Sequence, residues 1–420
     1  MKHVIIGNGP AGIVAAETLR KADPEASITV IGAEVATPYS RMAIPYFIAG
    51  KIPPEGTHLR KRENHFAQLG IDLLHARVTR IDAAHKTLHL HDEQPLPYDR
   101  LLIASGASPV QLAIPGIDLP NVQSCWTIED ARNICDTVRP GTRVLLMGAG
   151  FVGCIVIAPL LKRGAHVGIV ASGDRMVPRM MTEGAGKMIQ KWIQNNGVTV
   201  YNDARVTAIE AGPDGVLTAR MKNGESAEAD LIINATGVKA NIDFLKDSGI
   251  ATEYGVLVDE YLRSNQPDIY AAGDVAQAHD IATGAKTTNA IQPNAVDQGR
   301  IAALNMAGKS TRFNGGIAMN VLDVDGLVSS SFGRWWGADE GEHVELMDES
   351  GWKYLRLEFK GDVMVGATAV GFTRHVGVLR GLIQAQVPLG NWKERLLKEP
   401  LRIMEAYLSS NLAATRHFNH

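Results

Sequence analysis

After Met1-Lys2 the chain runs through an apolar stretch, Val4-Ile5-Ile6, stops at Gly7, and takes up a helical spacing of apolar positions from Pro10. A short apolar run without alternation, closed by glycine, predicts a strand covered on both faces, as in a parallel sheet. The pattern predicts a strand over His3–Ile6, a helix over about Pro10–Ala22 and a strand over Ser27–Ile31. That is a βαβ unit, for which a right-handed crossover is expected. A strand this early leaves no room ahead of it for a signal or transit peptide. Arg41–Gly50 reads as a loop leading to a short helix. Short strands are expected near Ile71–Leu74, Ala76–Asp82 and Thr87–His91, and a buried one at Leu101–Ala104.

The same pattern recurs from Arg143: strand Val144–Met147, a glycine turn, a helix to about Arg163 and strand His166–Val170. Ile189–Asn195 is predicted helical. Val198–Tyr201, Ala204–Ala211, Val216–Met221 and Leu231–Ala235 are predicted strands, and Ile269–Ala271 is a third strand ending in glycine. A helix is expected near Ala295–Ala307. Phe313–Gly371 is rich in short β-like runs and Gly377–Leu412 in helical ones, so about Thr311–His420 reads as a separate C-terminal domain. Val144–Leu161 carries no charge over 18 residues, the threshold for a membrane span. Its three glycines and Pro159 make a buried strand, turn and helix the better reading, with a kink at the proline.

With 420 residues, 45% of them hydrophobic, two to four domains and a large core are expected. A formal charge of −3 supplies no basic field for nucleic acid. Cys125, Cys135 and Cys154 form neither a CxxC nor a CxxxxC pair. Three thiols cannot build a full disulfide framework, which fits a reducing, cytoplasmic compartment and excludes a neighbouring redox dithiol.

The chemistry sits at the glycines. In Gly7-Asn8-Gly9-Pro10-Ala11-Gly12 the first glycine permits a tight turn, the second lets the backbone approach a pyrophosphate, and the third lets helix pack on strand. The helix N-terminus then offers free N–H groups to phosphate. Glu34 follows 22 residues after Gly12, where a carboxylate can accept from a ribose diol. Gly148-Ala149-Gly150-Phe151-Val152-Gly153 repeats the motif between strand and helix. Two such units imply two dinucleotides, a flavin and a nicotinamide one. Ile269-Tyr270-Ala271-Ala272-Gly273-Asp274 ends a strand in a carboxylate suited either to ribityl hydroxyls or to capping the next helix.

The ordered set Gly7–Gly12, Tyr98–Gly106, Gly148–Gly153, Ala235-Thr236-Gly237 and Tyr270–Asp274 resembles the two-dinucleotide-binding flavoproteins related to the pyridine nucleotide-disulfide reductases, over about Met1–Gly308. The resemblance implies an α/β fold with two Rossmann-like domains, one inserted in the other, plus an α+β C-terminal domain. It implies FAD on a split domain (1–110 and 238–310), NADH or NADPH as co-substrate on 111–237, and an interface domain over 311–420. It places Arg41 at the FAD pyrophosphate, Ala104, Ser105 and Gly106 at the adenosine side, and Gly273 and Asp274 at the ribityl chain. Gln292 and Asn294 open a helix aimed at the isoalloxazine ring, and Val78 and Gly237 join the cofactor-binding set.

Departures from the pattern sharpen the expectation. Relatives with a single redox cysteine carry it where Met42 stands here, and a thioether forms no mixed disulfide. Electrons must then leave the flavin directly, so no catalytic side chain is expected. Ile155 and Ala171 replace the acidic residues usual near the second turn; Ser172 and Arg175 lie nearby, and the choice between NADH and NADPH stays open. Val321–Gly333 and Tyr354–Gly371 resemble the third domain of rubredoxin reductases and of nitrite reductase flavin portions. The expected activity is therefore an NAD(P)H:acceptor oxidoreductase feeding a rubredoxin, a ferredoxin or a partner subunit. The alternatives are a small acceptor such as oxygen or a quinone, or a flavin-binding electron-transfer subunit with a decayed nicotinamide site. A homodimer stays open. His85, His89 and His91 read as a polar strand face, Trp335-Trp336 as interface packing, and Lys393–Lys398 with Leu401–Leu408 as a helix pair packed on the body.

Overall fold

The computed structural model describes residues 1–212 and 214–417. The chain divides into two units: Met1–Ser108 with Val238–Gly316, and Pro109–Gly237 with Ile317–His420. Residues 418–420, the end of the expected C-terminal domain, lie outside the described residues.

The first unit opens with strand β1 (Lys2–Ile6), helix α1 (Pro10–Ala22) and strand β2 (Ser27–Gly32). β1 lies between β2 and the Arg100–Ile103 strand in a five-stranded parallel sheet, completed by β3 (Ile71–His75) outside β2 and Ile269–Ala271 outside Arg100–Ile103. The central strands are buried on both faces, which is why they read as unbroken apolar runs. Helix Gln292–Met306 crosses α1 closely. A Cβ on Gly299 would stand 2.3 Å from the Ala11 carbonyl oxygen, so only glycine permits the crossing.

In the second unit, strands 199–201, 166–170, 143–147, 231–234 and 122–124 stand in that order, all parallel. Helix Phe151–Lys162 continues through Pro159 to within one residue of the expected Arg163. No helix among the described residues is long and apolar enough to cross a membrane. Helix Ile128–Thr137 was not foreseen, although its capping box is legible: Thr127 accepts from the Asp130 amide, and the Asp130 carboxylate accepts from the Thr127 amide.

The C-terminal segment forms a five-stranded antiparallel sheet in the order 319–324, 327–333, 363–370, 353–360, 342–348. Helices Val376–Gln384, Asn391–Lys398 and Ile403–His417 complete its core through Leu379, Leu382, Leu396 and Ile403. Leu401 and Leu408 stay exposed. This segment packs on the 109–237 Rossmann layer within one unit. Trp192 meets Trp352 edge-to-face at 5.1 Å, and its indole N–H donates to the Val324 carbonyl at 3.0 Å. Thr182 donates its hydroxyl to Tyr354, which donates to Glu345.

Candidate functional site

The first turn is built from sterics. Gly7 has φ +111°, and a Cβ there would lie 2.0 Å from the Ala104 carbonyl oxygen. At Gly12 a Cβ would lie 1.9 Å from the Gly7 carbonyl oxygen, so both positions demand glycine. Gly9 differs: a Cβ there would meet nothing within 4 Å. The space in front of the turn is open at the point where α1 begins, with Pro10 at its first position and no side chain capping it. Uncapped first-turn amides and the helix dipole facing open space form an anion cradle that fits a pyrophosphate.

Around this turn the structure gathers several of the expected residues. Arg41 donates from Nη2 to Glu34 Oε1 at 2.6 Å, and the Tyr39 hydroxyl donates to Glu34 Oε2 at 2.6 Å. Burial pushes the Asp274 carboxyl above its ordinary range, and the Arg41 charge partly offsets the rise. Gly273 lies against α1; its Cβ would come within 3.1 Å of the Ala11 Cβ, and its N–H donates to Gln298. Gln292 accepts from the Ser40 hydroxyl at 2.5 Å, and Asn294 is buried, donating to the Asn289 carbonyl. Ala104 is buried, Ser105 exchanges two hydrogen bonds with Asn241, and Gly106 has φ +66°. Val78 is buried at the head of the Val78–Asp82 strand in a separate antiparallel sheet. The Arg41–Glu34 pair and the tyrosine that orients it lie within one short stretch of chain, and spacing alone did not reveal them.

The second turn repeats the first. Gly148 also has φ +111°, with its Cβ direction blocked by the Ala235 carbonyl oxygen at 2.6 Å. Gly153 is blocked by the Gly148 carbonyl oxygen at 2.1 Å, and Gly150 again faces nothing within 4 Å. The cap backbones correspond: φ −75°, ψ −174° at Gly9 and φ −81°, ψ −169° at Gly150. Phe151 and Val152 are half-buried at the start of the helix. Gly237 accepts from the Val110 amide at 3.0 Å. Ala171 is buried and Ser172 exposed. Arg175 reaches Asp174 at 3.3 Å, while its buried Nε has no partner.

The cysteines supply no nucleophile. Cys125 and Cys154 are buried, and burial pushes both thiols up to about 12; Cys135 is raised as well. The thiolate is the reactive form, so thiol exchange at neutral pH is suppressed. Met42 is exposed at 44%. His85 pairs with Asp82, His89 with Arg80 and His91 with Asp92, and the strand ends at Leu90. Among the described residues no three His, Cys, Asp or Glu side chains group to hold a metal. An open depression of about 960 Å³ lies along residues 52–73 and contains no residue of either turn.

Residues 1–299 match the pyridine nucleotide-disulphide oxidoreductase family. The chain belongs to this family. It is 31% identical over 412 residues to the NADH-dependent phenylglyoxylate dehydrogenase subunit epsilon of Aromatoleum evansii, covering 97% of each chain. It is 28% identical over 312 residues to the rubredoxin-NAD(+) reductase of Pseudomonas putida, covering 74% of this chain and 81% of that one. A covalent putidaredoxin reductase–putidaredoxin complex shares the fold, with TM-score 0.90 at 23% identity over 98% of this chain and 99% of that one. As a member of this family the protein is an FAD-dependent NAD(P)H oxidoreductase.

Proposed function

We propose that the protein passes reducing equivalents from NAD(P)H through FAD to a one-electron carrier protein or a redox partner subunit. The observation that carries this reading is the pair of matched open-faced glycine turns in a chain whose three thiols are all held protonated. When bound, FAD supplies acceptance of a hydride and release of electrons one at a time. The chain's residues hold and orient. Gly7, Gly9 and Gly12, with the first-turn N–H groups of Ala11 and Gly12, take the FAD pyrophosphate. Glu34 takes a ribose, and Arg41 is shared between Glu34 and phosphate. Gly273 and Asp274 take the ribityl chain, with Gln292 and Asn294 beside the ring. Gly148, Gly150 and Gly153, opened by Phe151 and Val152, take the nicotinamide dinucleotide.

A subunit relationship to an NADH-dependent dehydrogenase and the likeness to a rubredoxin reductase support a protein acceptor over oxygen or a quinone. Three free cysteines support a reducing, cytoplasmic setting. The test is an anaerobic titration with NADH and with NADPH, followed by flavin absorbance. Bleaching by either is expected, with reoxidation by rubredoxin or ferredoxin at least about a hundredfold faster than by oxygen. Fast reoxidation by oxygen or a quinone alone overturns the carrier reading. Failure of both nucleotides to bleach the flavin points instead to a subunit that has lost nicotinamide chemistry.

A further inference from the structure

Val177 stands in the left-handed region, at φ +44°. Two local rules are broken there together. A β-branched residue at positive φ is a steric outlier, and the residue before a proline, here Pro178, is driven towards extended backbone. The side chain is nonetheless buried, at 1% exposure. A conformation of this kind costs about 1–3 kcal/mol and persists only where its surroundings enforce it.

The surroundings lead to the second glycine turn. The Val177 N–H donates to the carbonyl of Ala149, the residue between Gly148 and Gly150, at 2.8 Å. The Cys154 thiol donates to the same oxygen at 3.7 Å. The Val177 carbonyl in turn accepts from the amides of Met180 at 2.9 Å and Met181 at 3.1 Å, which closes the loop on itself. The first turn is an internal control. Its glycines have the same dihedrals, yet among the described residues no loop amide is bonded to the carbonyl of Asn8, the residue matching Ala149. Asn8 instead sets its side-chain amide against Gly32. The two sites differ in occupancy during turnover. FAD is a cofactor and braces its own turn while bound, whereas NAD(P)H is exchanged at each cycle and must find its turn already shaped.

We propose that Val177 is a positioning residue for the second dinucleotide. Held in a strained conformation, it latches loop 172–182 onto Ala149 and keeps the Gly148–Gly153 turn in its binding shape before NAD(P)H arrives. This rests on the second turn being the NAD(P)H site.

The test uses the FAD-loaded enzyme, calorimetric titration with NAD⁺ and NADP⁺, and hydrogen exchange over residues 148–154 and 177. In ligand-free wild type the Val177 amide exchanges slowly. Val177→Pro removes the donating N–H and bars positive φ, which breaks the bond to Ala149 and raises the Kd about tenfold. It leaves FAD content unchanged and speeds exchange over 148–154 only in the ligand-free state. Val177→Ala keeps the backbone restriction while losing side-chain volume, and holds the Kd within about threefold of wild type. Equal losses in the two variants would assign the effect to packing and overturn the latch, as would wild-type affinity in Val177→Pro. Rapid exchange of the Val177 amide in the ligand-free wild type overturns it without any variant. Dinucleotide binding that leaves 148–154 unprotected in wild type removes the site assignment itself.

Discussion

Gly150 and Gly153 belong to one motif but answer to different forces. A methyl group at Gly153 collides with the Gly148 carbonyl, whereas at Gly150 it enters open space. Gly150→Ala is therefore expected to fold with an unchanged melting temperature and to bind NAD(P)H at least about tenfold more weakly, because the methyl occupies the approach of the pyrophosphate. Gly153→Ala is expected to lower the melting temperature itself. Thermal melts alongside nucleotide titration separate the two, and equal behaviour would contradict the steric account. Asp274 gives a pH-dependent counterpart. Its carboxyl titrates higher in the folded protein than in the unfolded chain, so the folded state keeps a proton over a window in which the unfolded state has lost it. Stability then falls as pH rises through that window. Asp274→Asn should stabilise the FAD-free protein at neutral pH, lose that advantage in acid, and weaken FAD retention about tenfold or more through the lost charged acceptor. Melts of FAD-free protein across pH, with flavin release on dilution, check both halves.

Among elements, the helices that start at glycine turns were the most legible, because a motif, a preceding apolar run and a helical spacing coincide there. α1 runs over Pro10–Ala22 as its pattern predicts. Helix Ile128–Thr137 was less visible. Its residues carry mixed polarity, and it shows only three fully buried positions, Ile128, Ala131 and Ile134. Its start depends on the reciprocal Thr127–Asp130 cap, so Thr127→Ala should cost about 1 kcal/mol in urea unfolding with no change in flavin spectrum. Helix Glu183–Asn195 begins two turns before the predicted Ile189, with Glu183 and Gly184 in its first turn. Its Thr182 cap directs its hydroxyl to Tyr354 rather than to the helix, a partner 172 residues away that no local pattern announces.

At the scale of the molecule, the C-terminal sheet lies in the same compact unit as the parallel sheet of residues 109–237. Trp192 joins them through the Trp352 ring and the Val324 carbonyl. Trp192→Ala removes an aromatic pair and a hydrogen bond and should destabilise that unit by about 2 kcal/mol. The expected signature in denaturant is an earlier transition of the second unit with FAD still bound to the first. Simultaneous loss of flavin would show that the two units unfold as one.

Local chemistry was enough to read the five strands of the first parallel sheet, both glycine turns, the likeness to a flavoprotein family and the want of a redox dithiol. Each of these rests on neighbours within a few residues or on a spacing that only one backbone path satisfies. What the sequence did not determine is where long-range partners meet. Folding alone desolvates Asp274, seats Gly299 on Ala11 and forces Val177 into the left-handed region against Ala149. Those outcomes depend on which surfaces the chain brings together, and a one-dimensional pattern carries no record of contacts between segments far apart in number.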